Sequence, residues 1–459
     1  RQFKDLATSH HVEQIVTAAT SAVREAPNGR DFLQTILDDL EIEVDLVSGP
    51  EEARLIYLGV LSGMPFGDRP HLLLDIGGGS TELILADGRD ARALTSTRIG
   101  AVRLQRDFVK DDPMPSQRRS FLQAFIQGSL EPAVDKVRRR IKPGETPVLV
   151  ATSGTAMAVG SLAASEEEHP PRKLHGYRLT RQRLDRVVDR LITMTPAQRR
   201  ELAPINDRRA EIIVPGALIL QTTMKMLGAA DLVLSERALR EGLIVDWMHR
   251  QGLLEDRFSF QSSIRQRTVL HQVKRFAVNQ ARAERVASHA LSLYDASRGV
   301  MHDDDGEGRE LLWAAAMLHS CGQHINISAY HKHTWYLIRH GELLGYSEAE
   351  HLMVAAIARY HRRSLPKKRH ESWQLLATRD NRRCVQQMAL LLRLAAALDR
   401  RPEPVISALH IEAAKGSLHL EIVPERVNQN VSLEQWSLES CAEVVNEAVG
   451  VKLRVSVQG

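Results

Sequence analysis

The stretch LLLDIGGGSTELIL, from Leu72 to Leu85, constrains the fold more than any other feature of this chain. Two apolar runs short enough for strands flank three successive glycines, so the chain must turn back on itself within a few residues. The pattern predicts a tight hairpin. Glycines allow positive φ and let an anion approach backbone N–H groups with no Cβ in the way. Asp75, delivered to the end of the first run, can hold a hard cation directly or through its water shell, so a metal and a phosphate would meet at one point. A short glycine motif alone is equally compatible with an ordinary hairpin. Other parts of the sequence must decide between them.

Up to about residue 250, β-like runs alternate with helical ones. Strands are expected at Gln14–Ala18, Glu43–Val47, His71–Leu74, Glu82–Leu85 and Thr146–Ala151, and helices at Arg30–Leu40, Glu51–Leu61, Arg119–Arg140 and Arg181–Thr193. Asp31, Pro50 and Thr180 are the expected helix starts, and the alternation reads as α/β. From about Gln261 the pattern changes to long helices: Ala281–Tyr294, Glu310–Leu318, Lys332–Arg339, Ala349–Tyr360 and Val385–Leu398. The acidic run His302–Gly308 reads as a loop among them, since it lacks the ligand spacing of an EF-hand. After Pro402, period two returns in Ile406–Ala413, Ser417–Val423 and Val451–Val457, with one helix around Ser437–Val449. A chain of 459 residues exceeds one hydrophobic core, and about three or four domains are expected. The divisions are placed at 1–62, 63–252, 256–400 and 401–459.

With 43% hydrophobic and 26% charged residues the composition is that of a globular protein. The apolar runs Ile212–Leu220 and Met388–Leu392 are broken by Pro215 or ended by Arg393, short of the roughly 20 residues a membrane span needs. Cys321, Cys384 and Cys441 form no CxxC pair, so neither a disulfide framework nor a zinc site is indicated and a reducing cytoplasm is expected. The opening Arg1-Gln2-Phe3 has no initiator Met and no apolar signal region.

Three further motifs surround the hairpin: ATSAVREA from Ala19, SGPEEARLIYLGV from Ser48, and ATSGT from Ala151, the last a small-residue loop after an apolar run. To these are added RIGAVRL from Arg98, ERALREG from Glu236, and Arg359-Tyr360-His361-Arg362. Together they resemble the exopolyphosphatase/guanosine pentaphosphate phosphohydrolase family, and the resemblance covers nearly the whole chain. It implies a two-lobed actin-like ATPase fold of the acetate kinase and sugar kinase superfamily, then an all-α HD-like domain and a small α/β C-terminal module. Members open on an Asp-x-Gly-Ser-Asn phosphate loop, and nothing like it precedes Val16, so the first lobe reads as N-terminally incomplete.

The resemblance also implies roles. Glu52 looks like the general base that orients water for attack on the terminal phosphorus, and Asp75 like a ligand of Mg2+. Gly77, Gly78, Gly79 and Ser80, with Ser153, Gly154 and Thr155, look like phosphate cradles, and Arg24 like a phosphate-binding guanidinium, whose planar fork pairs two oxygens. The expected activity is that of an exopolyphosphatase removing the terminal phosphate of inorganic polyphosphate, with hydrolysis of guanosine pentaphosphate as the alternative. The enzyme implied is a cytoplasmic homodimer that hydrolyses phosphoanhydrides, with a non-catalytic polyphosphate or alarmone binder as the rival from another class.

The HD-like part lacks the ligands such a domain needs, reading Leu318-His319-Ser320-Cys321 with Gln280 upstream, although His319 and Asp399 remain. Between Ala358 and Arg383 nine Lys or Arg face only Glu371 and Asp380. Arg359, Arg362, Arg363, Lys367, Lys368 and Arg369 are therefore expected to form a basic patch for a phosphate polymer. Nucleic acid is not expected, because aromatics make up 5% of the chain and the patch has few rings for base stacking. No membrane partner is expected.

Overall fold

The computed structural model describes residues 1–458 except 65, 68, 169, 172, 254–263, 304 and 305. It divides into two compact units, Arg1–Ser262 and Ser263–Gly459. The passage expected between residues 252 and 256, and Asp304 and Asp305 of the acidic run, fall among residues outside this description.

The first unit opens with helix Gln2–Ser9, strand β1 (Ala18–Ala19), helices Ser21–Glu25 and Gly29–Leu40, and strand β2 (Asp45–Leu46), parallel to β1. The expected strands here shrink to two residues each, and Ile15 and Val16 stay exposed. Helix Gly49–Gly63 follows. Ser48 caps it by accepting from the Glu51 N–H, with Pro50 in the first turn where no N–H is needed. It is buried continuously from Glu51 to Leu61.

A six-stranded mixed sheet forms the body of the unit, built from β3 (His71–Ile76), β4 (Thr81–Ala86), β5 (Ala91–Thr97), β6 (Val148–Thr152), β7 (Arg178–Thr180) and β8 (Asp231–Leu234) in the order β5-β4-β3-β6-β8-β7. The hairpin β3–β4 is antiparallel, with Asp75 opposite Glu82 and Ile76 opposite Thr81. β3 also pairs in parallel with β6, where Asp75 meets Thr152. Both phosphate-type loops thus leave the same edge of neighbouring strands. Alternation sends Leu72, Leu74, Leu83 and Leu85 into a core with helices Ser116–Arg138, Ser153–Ser165, Arg181–Thr193 and Asp207–Leu227. Leu73, Ile84, Val150 and Val233 face helix Gly49–Gly63 on the other side.

Helix Asp207–Leu227 runs straight through Pro215, which therefore does not break the apolar run. By length and hydropathy it could cross a membrane, but most of its apolar window is buried in this unit, where Ile213, Ala217, Leu218 and Leu220 join the core. Strands β5, β7 and β8 were not expected. Two are sheet edges with mixed polarity, and β7 and β8 have only three and four residues.

The second unit has helices Ile264–Arg275, Gln280–Ala296, Glu307–Leu318, Tyr330–Arg339, Glu348–Tyr360 and Arg379–Leu398. They share one core with a three-stranded sheet in which β10 (Ser417–Pro424) lies between β9 (Ile406–Ala414) and β11 (Lys452–Val457). The single helix expected around Ser437–Val449 is two, Ser432–Glu439 and Ala442–Val449, with Ser440 and Cys441 between them.

Candidate active site

The N–H of Gly77 donates to the Ser80 carbonyl at 2.9 Å and closes the turn. Among the described residues the N–H groups of Gly78 and Gly79 donate to no backbone carbonyl, which leaves them able to meet an anion. The loop's carbonyls point the other way. Gly77 O accepts from Ala101 N, and Gly78 O from Val102 N and Arg103 N, each at 3.0 Å, which docks the loop on helix Ala101–Phe108.

Three carboxylates gather beside it. Asp75 is the last residue but one of β3, Glu82 lies opposite on β4, and Glu52 stands in the first turn of helix Gly49–Gly63. Burial and then the charge of Glu52 push the Asp75 carboxyl up to about 7. Glu82 is buried and pushed well above the ordinary carboxylate range by burial, then by Glu52 and Asp75, against hydrogen bonds from Ser96 and Ser80. Glu52 is raised by burial, and Arg24 opposes the shift from 3.4 Å. Arg24 also donates to the Val47 carbonyl, which fixes its fork at the end of β2.

The structure separates the two neighbouring glutamates. Glu51 accepts from Arg54 at 2.9 and 2.7 Å, and Arg54 reaches on to Asp246 at 2.6 Å, so Glu51 is committed to a buried ion pair. Glu52, one residue on, faces Asp75 and Arg24 instead.

The second loop continues from β6. Ser153 takes φ 92, a left-handed conformation that costs a residue with a Cβ roughly 1–2 kcal/mol. A Cβ on Gly154 would lie 2.3 Å from Nη2 of Arg209, so the glycine lets that guanidinium rest on the loop. Thr155 is buried.

The structure therefore gathers Glu52, Asp75, Arg24 and the loop Gly77–Ser80, with Ser153–Thr155 leaving the adjoining strand. It adds Glu82 and Arg209, which sequence reasoning missed. For Glu82 the signal was present, as an acidic residue inside an otherwise apolar strand; for Arg209, far along the chain, no local signal exists.

Three carboxylates with raised affinity for protons fit a cation, because among the described residues Arg24 is the one cation that opposes their shifts. Among the described residues no group of His, Cys, Asp or Glu forms a complete metal cage.

In the second unit Arg363, Lys367, Lys368 and Arg369 are exposed, while Arg359 and Arg362 are half-buried and lie over the rings of Tyr360 and Tyr330. Burial and then Arg362, Arg359, Lys332 and Arg363 drive His331 down to about 4, which shows how much positive charge converges there. Asp399 is buried and accepts from Arg282 at 2.8 Å and Arg285 at 2.9 Å, so two guanidinium groups neutralise it. His319 and His361 turn their Nδ1 atoms to the carbonyls of Ala316 and Ala358.

Two loops of small residues at adjoining strand ends, with carboxylates and guanidinium groups around them, fit a site that handles phosphate groups. The model of the Ppx/GppA phosphatase family matches residues 1–251, and that of domain III of the same phosphatases matches residues 264–442. The chain belongs to the Ppx/GppA phosphatase family, with its two-lobed actin-like fold. It is 29% identical over 406 residues to the guanosine-5'-triphosphate,3'-diphosphate pyrophosphatase of Vibrio vulnificus (strain YJ016), covering 88% of this chain and 76% of that protein. An exopolyphosphatase from Cytophaga hutchinsonii ATCC 33406 shares 25% identity at a TM-score of 0.50, over 56% of this chain and 81% of that one. The Aquifex aeolicus family member shares 27% at a TM-score of 0.47, over 55% and 79%.

Proposed function

We propose that this protein removes the terminal phosphate from inorganic polyphosphate by direct attack of water. The observation that carries the reading is the Glu52, Asp75 and Glu82 group beside an open glycine loop. Glu52 holds a water and takes its proton as the oxygen attacks phosphorus, and its raised affinity for protons suits it to that task. Arg24 and Arg209 bind phosphate oxygens and orient the chain for in-line displacement, with the N–H groups of Gly78 and Gly79 beneath. Asp75, with Glu82 behind it, would hold a magnesium ion, which would supply neutralisation of the charge developing on the phosphate oxygens.

The basic patch favours polyphosphate, since a chain with about one negative charge per unit gains from an extended basic surface. The helical part serves as scaffold for that surface, an HD-like arrangement in which Arg282 and Arg285 have displaced metal chemistry. The second reading is hydrolysis of guanosine pentaphosphate, favoured by the Vibrio relative, whose name specifies that nucleotide.

Phosphate release from long-chain polyphosphate and from guanosine pentaphosphate, measured side by side with magnesium, separates the two, and a strong preference for the nucleotide overturns our choice. Replacing Lys367, Lys368 and Arg369 together by Gln is expected to raise KM for long chains several-fold at low salt and much less at high salt. A wild type that binds either substrate and never turns it over would leave a binding protein.

A further inference from the structure

The RIGAVRL motif supplies an arginine that the reaction above does not use. Arg103 donates through Nε to the Gly79 carbonyl at 3.1 Å, which fixes its fork against the catalytic loop, and its Nη2 pairs with the carboxylate of Glu25. The hydroxyl of Ser21 donates to the other oxygen of the same carboxylate at 2.9 Å. Ser21 is buried, and a Cβ built on Gly79 would stand 2.5 Å from its Oγ and 3.8 Å from Nη2 of Arg103. Glycine is therefore required at 79 for the hydroxyl to reach the loop. Arg98 adds a further positive charge toward Glu25, whose carboxyl stays below its ordinary value although burial pulls it upward.

A hydroxyl and a guanidinium directed at one anion, beside a glycine loop with free N–H groups, is the donor set a phosphate group would need. Here the anion is a side chain of the protein. We propose that Ser21, Arg103 and the Gly79 region form a second phosphate subsite beside the catalytic loop, and that Glu25 fills it as a built-in competitor which an incoming phosphate chain displaces. This rests on the phosphohydrolase reading and names a further contact for the same substrate. A phosphate unit offers more acceptor oxygens than a carboxylate and brings its neighbours onto Arg24 and Arg209, so a chain can displace Glu25 where a single small anion cannot. Arg103 binds substrate; Glu25 sets the threshold for its entry.

The test is a double-mutant cycle on the full chain, reading the Kd of tripolyphosphate by calorimetry in magnesium-free buffer. Arg103→Met is expected to weaken binding about tenfold, the loss of one charge-assisted contact. Glu25→Gln is expected to tighten it several-fold, and Glu25→Ala to do the same if the Gln amide still occupies Arg103. In the Arg103→Met background the Glu25 substitutions should change nothing. Equal tightening in both backgrounds would mean only that a negative charge had been removed from the neighbourhood, and it overturns the subsite. So does an unchanged Kd in Arg103→Met, or weaker binding in both Glu25 variants. Phosphate release from the same samples with magnesium reports separately on the hydrolase reading: a wild type that never releases phosphate defeats that reading, while the binding cycle still decides whether the subsite exists.

Discussion

Asp75 in the first unit and Asp399 in the second each lie at the end of an apolar element, Asp75 as the last residue but one of β3 and Asp399 as the residue that follows helix Arg379–Leu398, yet their surroundings are opposite. Asp399 is clasped by two arginines from helix Gln280–Ala296. Asp75 faces Glu52 and Glu82, and its electrostatic neighbours are negative. A buried carboxylate that the chain itself neutralises contributes to the fold. One left among its own kind costs stability until something from solution supplies the counter-charge. By this criterion the first unit keeps its carboxylates for a ligand and the second has closed its own.

The largest expected effect tests that contrast directly. Asp75→Asn and Glu52→Gln should each lower the rate of phosphate release by about a thousandfold, the scale expected when a positioned base or charge-stabilising group is lost. Asp399→Asn should leave the rate within a few-fold. Steady-state phosphate release on the three variants decides the matter, and a rate for Asp75→Asn within tenfold of wild type would break the comparison.

Much of this was legible in the sequence, for reasons that differ by residue. The hairpin and Asp75 could be read because glycines and short apolar runs act locally. Glu52 could be named from its motif, but its separation from Glu51 could not, because that depends on Arg54 and on Asp246, distant in sequence. Glu82 was passed over because an alternating strand presents every second residue to solvent, whereas β4 is buried on both faces. The sequence showed that Asp399 remained in the helical unit, but not that Arg282 and Arg285 would close on it, since their side chains lie on the solvated side of a helix in any one-dimensional reading. The long helix through Pro215 shows packing overriding a local rule.

A second prediction concerns stability and is smaller. Removing one charge of Asp399 leaves Arg282 and Arg285 half-satisfied, so Asp399→Asn should destabilise the second unit by about 2 kcal/mol, less than a fully buried pair because both arginines are partly exposed. Four of the five tryptophans, Trp313, Trp335, Trp373 and Trp436, belong to that unit, so fluorescence during urea unfolding reports mainly on it. Asp75→Asn should leave that transition in place and should not destabilise the first unit, as it removes an uncompensated charge. If Asp75→Asn were the more damaging of the two, the assignment of one carboxylate to the fold and the other to a ligand would be reversed.

The smallest effect follows from the proton affinity of Asp75. Its carboxyl is raised from the ordinary 3.8 to about 7, so the folded protein holds this proton more tightly than the unfolded chain does. The resulting stability is fully present below the ordinary value and is lost as pH rises through the folded one. Glu52 and Glu82, also raised, act in the same direction. Without divalent cation the first unit should therefore grow less stable from about pH 4 to pH 7, opposite to the trend of a salt-bridged carboxylate. Magnesium competes with the proton for the ionised form, so its stabilisation should increase with pH, reaching about 1.4 kcal/mol at ten times its Kd. Thermal melts of wild type and Asp75→Asn at pH 6 and pH 8, with and without magnesium, read this out. A magnesium shift equal at both pH values, or one retained in Asp75→Asn, would place the ion away from this carboxylate. A shift confined to the wild type and larger at pH 8 would make Asp75 the point where proton and metal exchange, a role closed to Asp399 while Arg282 and Arg285 hold it.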